Sequence, residues 1–203
     1  MAARSSSAVK AWIAALCFAA VPLTAAAHPH GFINYSASIL CEHGKIVGVR
    51  LVWTFDEMYS ASLFSDYTSQ PKGALSKADI AKLHDEAFKD SAEEHYFTDV
   101  VLDGKKLPVA ATDFDASYDG RKTTYRFTVP VDIVPPQGGT MLKIDSFDTE
   151  FYIDYELDEH RPVPVENGAG IDVACAPASL TRDTTTFGAL TTRIVRCRIK
   201  AAS

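Results

Sequence analysis

The sequence predicts an α+β fold, a mostly antiparallel β-sandwich-like domain with a two-helix insertion. Three observations lead there. Apolar and polar residues alternate with a period of two in several runs, most clearly 31–40, 46–55 and 123–133, the pattern of half-buried strands. Turn segments separate the runs: Glu42-His43-Gly44-Lys45, Asp103-Gly104-Lys105-Lys106, Tyr118-Asp119-Gly120-Arg121 and Pro135-Pro136-Gln137-Gly138-Gly139. Helical spacing is confined to about 56–95.

In chain order, 31–40 and 46–55 form an antiparallel hairpin across the turn at 42–45. Thr54 and Glu57 stand at capping-box spacing, and a short helix with Tyr59, Leu63 and Phe64 follows. Gln70-Pro71-Lys72-Gly73 is a loop. Ser76 and Asp79 then open a second helix on which Ile80, Leu83, Ala87 and Phe88 recur at helical spacing. Beyond Tyr96 the pattern returns to strands: 97–102, 107–116, 123–133, 141–144 and 150–157, closed by two strands near 170–175 and 191–199.

The first 27 residues read as a cleavable signal peptide. Arg4 and Lys10 make a basic start, 11–26 is apolar and uncharged, and Thr24-Ala25-Ala26-Ala27 supplies the small residues a signal peptidase reads. The run is shorter than the roughly 20 residues of a membrane span. Leu16 before Cys17 argues against a lipoprotein anchor. Cutting after Ala27 leaves a single mature domain, 28–203, of 176 residues with net charge −8, because two basic residues and no acidic ones depart. A periplasmic location is therefore expected, with no stable membrane insertion after cleavage. The acidic balance also argues against nucleic acid, which rewards clustered Lys and Arg.

Of the cysteines left after cleavage, Cys175 and Cys197 fall in neighbouring C-terminal strands and are the preferred disulfide pair, leaving Cys41 over.

Cleavage would make His28 the new N-terminus, joining its α-amine and imidazole to the second imidazole of His30. Nitrogen donors of this kind suit nickel, cobalt, zinc and copper. Pro29 has no N–H to surrender, so the square-planar chelate built on deprotonated amides is blocked. Further ligands would have to come from the folded domain. Asp56 stands where a strand hands over to a helix, where capping is the ordinary role of an acid. Asp154 lies in an alternating strand beside aromatic residues and needs a partner if buried. His160 precedes Arg161-Pro162 in a loop, and Asp148 stands near both. His43 and His84 read as structural.

Several segments together resemble the family catalogued as domain of unknown function 1007: His28-Pro29-His30-Gly31, Trp53-Thr54-Phe55-Asp56-Glu57-Met58-Tyr59-Ser60, Tyr96-Phe97, and Phe147-Asp148-Thr149-Glu150-Phe151-Tyr152-Ile153-Asp154. The family is also described as a periplasmic component of an ABC-type transport system, and members are often encoded beside nickel or cobalt transporters. The resemblance thus implies metal handling and an inner-membrane metal transporter as partner. Members often carry an acidic, calcium-hand-like loop between the helices. Here the corresponding positions are Thr68, Gln70, Lys72, Gly73 and Asp79, too poor in carboxylates for calcium. No calcium is expected.

Three functions follow as expectations. The first is a non-enzymatic metal-binding accessory protein using His28, His30, Asp56, Asp154 and His160. The second is a metal-free envelope module that docks a membrane transporter. The third is a copper-dependent oxidative enzyme built on the terminal histidine. No Gly-x-Ser-x-Gly elbow, His-Glu-x-x-His pair or phosphate loop speaks for other catalysis.

Overall fold

The computed structural model describes residues 29–68 and 74–202. The expected leader with its expected cleavage position, His28, and the 69–73 stretch that includes Gln70, Lys72 and Gly73 lie outside the described residues.

The chain folds as an α+β sandwich of two mainly antiparallel sheets. β1 (Gly31–Glu42) and β2 (Lys45–Phe55) form the first hairpin. Helix α1 (Glu57–Tyr67) and helix α2 (Lys77–Leu83) follow, and α2 runs on through a π turn at His84–Phe88 and a 3-10 segment to Phe97. Then come β3 (Thr98–Leu102), the two-residue β4 (Lys105–Lys106), β5 (Thr112–Tyr118), β6 (Thr123–Ile133) and β7 (Thr140–Ser146). β8 (Ile153–Leu157), the two-residue β9 (Val165–Glu166), β10 (Ile171–Thr184) and β11 (Gly188–Ala201) complete the chain. The first sheet has the order β5-β6-β2-β1-β8, with β9 also on β1; the second runs β10-β11-β7-β3-β4. β8 and β9 join β1 in parallel, the exceptions to an otherwise antiparallel fold.

The core lies between the inner faces. In β1 each odd position, Ile33, Tyr35, Ala37, Ile39 and Cys41, is buried, as the period of two requires. Leu51, Trp53 and Phe55 from β2 and Tyr125, Phe127 and Val129 from β6 meet Val100, Leu142, Ile144, Val195 and Ile199 of the second sheet. The insertion contributes Leu63, Leu83 and Phe88 to the same core. Phe88 sits on the π turn with its ring 5.0 Å from Phe127, 4.4 Å from Phe114 and 6.4 Å from Trp53. Burial pushes the Cys41 thiol up; Cys175 and Cys197, opposite each other in β10 and β11, are joined by a disulfide.

Local chemistry adjusts several expected boundaries. The capping residue of α1 is Asp56 rather than Thr54: β2 stays paired with β1 as far as Phe55, so Thr54 remains in the ladder, 3.4 Å from Thr124 across the strands. Glu57 instead meets Arg121 at 2.6 Å. Ser76 and Asp79 do form a reciprocal capping box. β5 starts only at Thr112, after a stretch opened by Pro108, and a register shift at Thr112/Asp115 accompanies Asp113 at φ +53°. The 150–157 run becomes a strand only at Ile153, because Asp148 captures the backbone before it.

Candidate functional site at the start of β1

Three chain segments converge where β1 begins. His30 donates its backbone N–H to Tyr152 O at 2.8 Å, and its imidazole stacks on the Tyr152 ring, centroids 4.2 Å apart and planes 13° from parallel. Gly31 follows, and a Cβ there would stand 3.1 Å from the Tyr59 ring. Glycine therefore lets β1 pass close under the first turn of α1. Asp56 ties the same junction. One carboxylate oxygen accepts from Tyr59 N and the other from Phe32 N, both at 2.8 Å, while Asp56 N donates to Phe32 O at 2.9 Å. Asp56 is a helix cap that also clamps β1, as the capping reading of its position holds.

Asp148 shapes the third segment. It is buried and accepts from Glu150 N at 2.9 Å, Tyr152 N at 2.8 Å and Ile153 N at 3.0 Å. This loop aims Tyr152 at His30 and delivers Ile153 into parallel pairing with Gly31. Asp154, one residue on, pairs with Phe32 in the β1/β8 ladder. Its carboxyl is pushed above the usual range, first by burial and then by Glu156, and it has no hydrogen-bond partner among the described residues. Such a carboxylate favours a proton or a cation.

Of the expected ligands, His30, Asp56 and Asp154 therefore share this end. His160 does not join them. It is exposed in the Asp158–Arg161 turn, and Asp158 N bonds to Tyr35 O, four residues along β1 from Gly31 and so about 13 Å away at 3.3 Å per residue. Among the described residues no three His, Cys, Asp or Glu side chains are placed to hold a metal ion. The donors available at the end are the exposed His30 imidazole, whose ring nitrogens have no hydrogen bonds among the described residues, and Asp154; both Asp56 oxygens are already in use. His43 sits at φ +49° in its hairpin turn, and His84 Nδ1 lies 2.8 Å from Asp85.

The same end carries apolar surface. Phe32 is 45 % exposed, Met58 72 % and Tyr152 60 %, an unusual grouping for residues of this size.

A second cluster escaped sequence reasoning. Asp145, at the end of β7, is buried beside Arg182 of β10, with which it forms a close ion pair. Arg182 also reaches Asp99 at 3.4 Å and lies over the Phe147 ring at 4.5 Å; Lys106 meets Asp99 at 2.8 Å. The Tyr35 hydroxyl stands 2.9 Å from Arg193 O and 3.2 Å from Asp145. Burial pushes the Asp145 carboxyl up to about 6 against the opposing pull of Arg182. An open cleft of about 550 Å³ borders this network, between Lys106, Lys143 and Leu180. Its only sequence signal is an acid ending the apolar alternation of 140–144.

The fold and this end define a two-sheet α+β sandwich whose N-terminal strand, first helix turn and 148–153 loop build one exposed surface. The sequence pattern of the family described as "Protein of unknown function (DUF1007)" matches residues 13–186, and the chain belongs to that family. It is also similar to a Haemophilus influenzae protein named "Uncharacterized protein", 26 % identical over 130 residues. That alignment covers 63 % of this chain and 61 % of the relative.

Proposed function

We propose that this chain is a periplasmic accessory protein of a transition-metal transport system, binding nickel, cobalt, zinc or copper through its mature N-terminal histidines and passing it to an inner-membrane transporter. The observation that carries the reading is His30: an exposed imidazole, its backbone and ring both held by Tyr152, the third residue after the expected cleavage point. The His28 amine and imidazole would complete a nitrogen set, and Asp154 supplies a carboxylate short of partners at the same end. Export is supported by the basic and apolar leader and by the Cys175–Cys197 disulfide, which suits an oxidising compartment. Family members' description as transport-system periplasmic components points the same way.

The test is a metal titration on protein exported and cleaved in a bacterial periplasm, its N-terminus fixed by mass. Tight one-to-one binding by the His28 form, lost when one residue is added before His28, is expected. Affinity should fall as pH drops, because amine and imidazoles must be unprotonated to bind. Negligible binding by both forms would overturn the reading.

A second reading is favoured by Phe32, Met58 and Tyr152, whose exposure at one end suits a metal-free module that docks a membrane transporter. It predicts that His28→Ala with His30→Ala leaves the cellular role intact while Phe32→Ser impairs it.

A further inference from the structure

Between the helical insertion and the inner face of the first sheet lies a cavity of about 90 Å³. Trp53, Phe55, Tyr59, Phe88, Tyr125 and Tyr155 line it, and among the described residues no lining side chain carries a charge. Tyr125 is 3 % exposed, and its hydroxyl has no hydrogen-bond partner among the described residues. Native folds seldom leave a buried hydroxyl unpaired, and each case asks for an explanation. Its ring neighbours, Phe55 at 4.7 Å, Phe114 at 5.0 Å and Phe88 at 6.1 Å between centroids, offer no acceptor.

We infer that this cavity is a binding pocket for a small neutral aromatic molecule carrying one hydrogen-bond acceptor, which the Tyr125 hydroxyl addresses. The walls present both ring faces and ring edges: Phe55 and Phe88 stand at 70° and 90° to Tyr125. A guest ring can meet such walls edge-to-face or offset, the arrangements aromatic pairs prefer. The uncharged lining among the described residues favours a neutral guest, since a buried ion without a partner is strongly disfavoured. A dry apolar cavity of about 150 Å³ accommodates benzene, so a ring needs modest widening here.

The covering segment is built for that. Ala87, Phe88 and Ser91 reach the cavity from a stretch that begins in the π turn. The stretch ends with His95, Tyr96 and Phe97 at φ +51°, +53° and +43°. Three successive non-glycine residues in the left-handed region store strain, of the kind found at ligand clamps and movable elements, and π turns recur at functional positions.

Phenol and benzene titrated into the full chain, followed by NMR shifts of the Trp53 indole and by melting temperature, test the pocket. Saturable binding of both is expected, with phenol favoured. Tyr125→Phe should shrink that preference about five-fold, the effect of one neutral hydrogen bond, while benzene still binds and the unliganded protein is no less stable. Ala87→Leu, which fills the space, should weaken both at least ten-fold with an unchanged circular dichroism spectrum. No saturable binding up to the solubility limit overturns the pocket. So does a destabilised Tyr125→Phe protein that keeps the phenol preference, which would mean that water occupies the space. Neither outcome touches the proposed metal site, which uses different residues.

Discussion

Asp145 and Asp56 show how differently two buried or half-buried acids can serve one fold. Asp56 is fully committed to backbone donors at a strand–helix junction, a role readable from its place between an alternating run and a helical one. Asp145 depends on Arg182, 37 positions later, and on Tyr35, 110 earlier. No local pattern encodes such partners, so the cluster was invisible in the sequence. Burial outweighs the help from Arg182 and holds Asp145 at about 6, above the ordinary 3.8. The folded protein therefore binds this proton more readily than the unfolded chain does. Linkage then requires that stability fall as pH rises from about 4 to about 6 and level off above, by on the order of 2–3 kcal/mol from this group. Urea unfolding from pH 4 to 7 checks it, with Asp145→Asn as the control: the slope should flatten in the variant. Parallel curves for the two proteins would mean that Arg182 wins and the carboxyl is not raised.

At the level of elements, β10 and β11 were the least legible. Short strands near 170–175 and 191–199 are what the pattern suggests, yet the hairpin runs from Ile171 to Ala201 with a tight connection at 185–187. Between its buried ends, Ile171 and Thr184, its edge strand has only partly and fully exposed positions, so no hydrophobic period marks it. Pro177 at its centre further argues against a strand unless that strand is an edge, which β10 is. The register explains the proline. Ala202 N bonds to Gly170 O, so even-numbered β10 residues face β11 through hydrogen bonds. Odd-numbered ones, Pro177 included, turn their N–H groups toward the open edge. Pro177 removes one of those donors and interrupts a 14-residue template for pairing with another chain. Replacing it with valine should restore the donor and promote association. Sedimentation velocity over a concentration series is the check: a larger species is expected for Pro177→Val at concentrations where the parent stays unchanged, and identical profiles would show that the edge is blunted by other means.

On the scale of the whole molecule, the alternation of β1, β2 and β6 was enough to predict the sandwich, because β1 and β2 each bury one face and β6 does so except at Val131. The helical insertion was legible as two helices, but the π turn that carries Phe88 was not. The insertion connects β2 of the first sheet to β3 of the second, and Phe88 carries it inward against Trp53, Phe114 and Phe127, rings from three different strands. An insertion that merely decorated the surface could melt on its own. One whose aromatic anchor shares the core of the first sheet should unfold with it. Phe88→Ala would remove a ring that is 3 % exposed, and buried Phe→Ala changes cost about 3–5 kcal/mol, so the loss should appear in the global transition. Two probes on the 28–203 form, which lacks Trp12, separate the alternatives: far-UV circular dichroism follows all the secondary structure, and fluorescence follows Trp53 at the sheet–insertion contact. Coincident urea curves in the parent, both displaced together by Phe88→Ala, are the expected result. If the dichroism of the variant fell in an earlier, separate step while Trp53 kept its native emission, the insertion would be an independent unit, and the cavity beneath it would be a seam between two parts rather than a feature of one core.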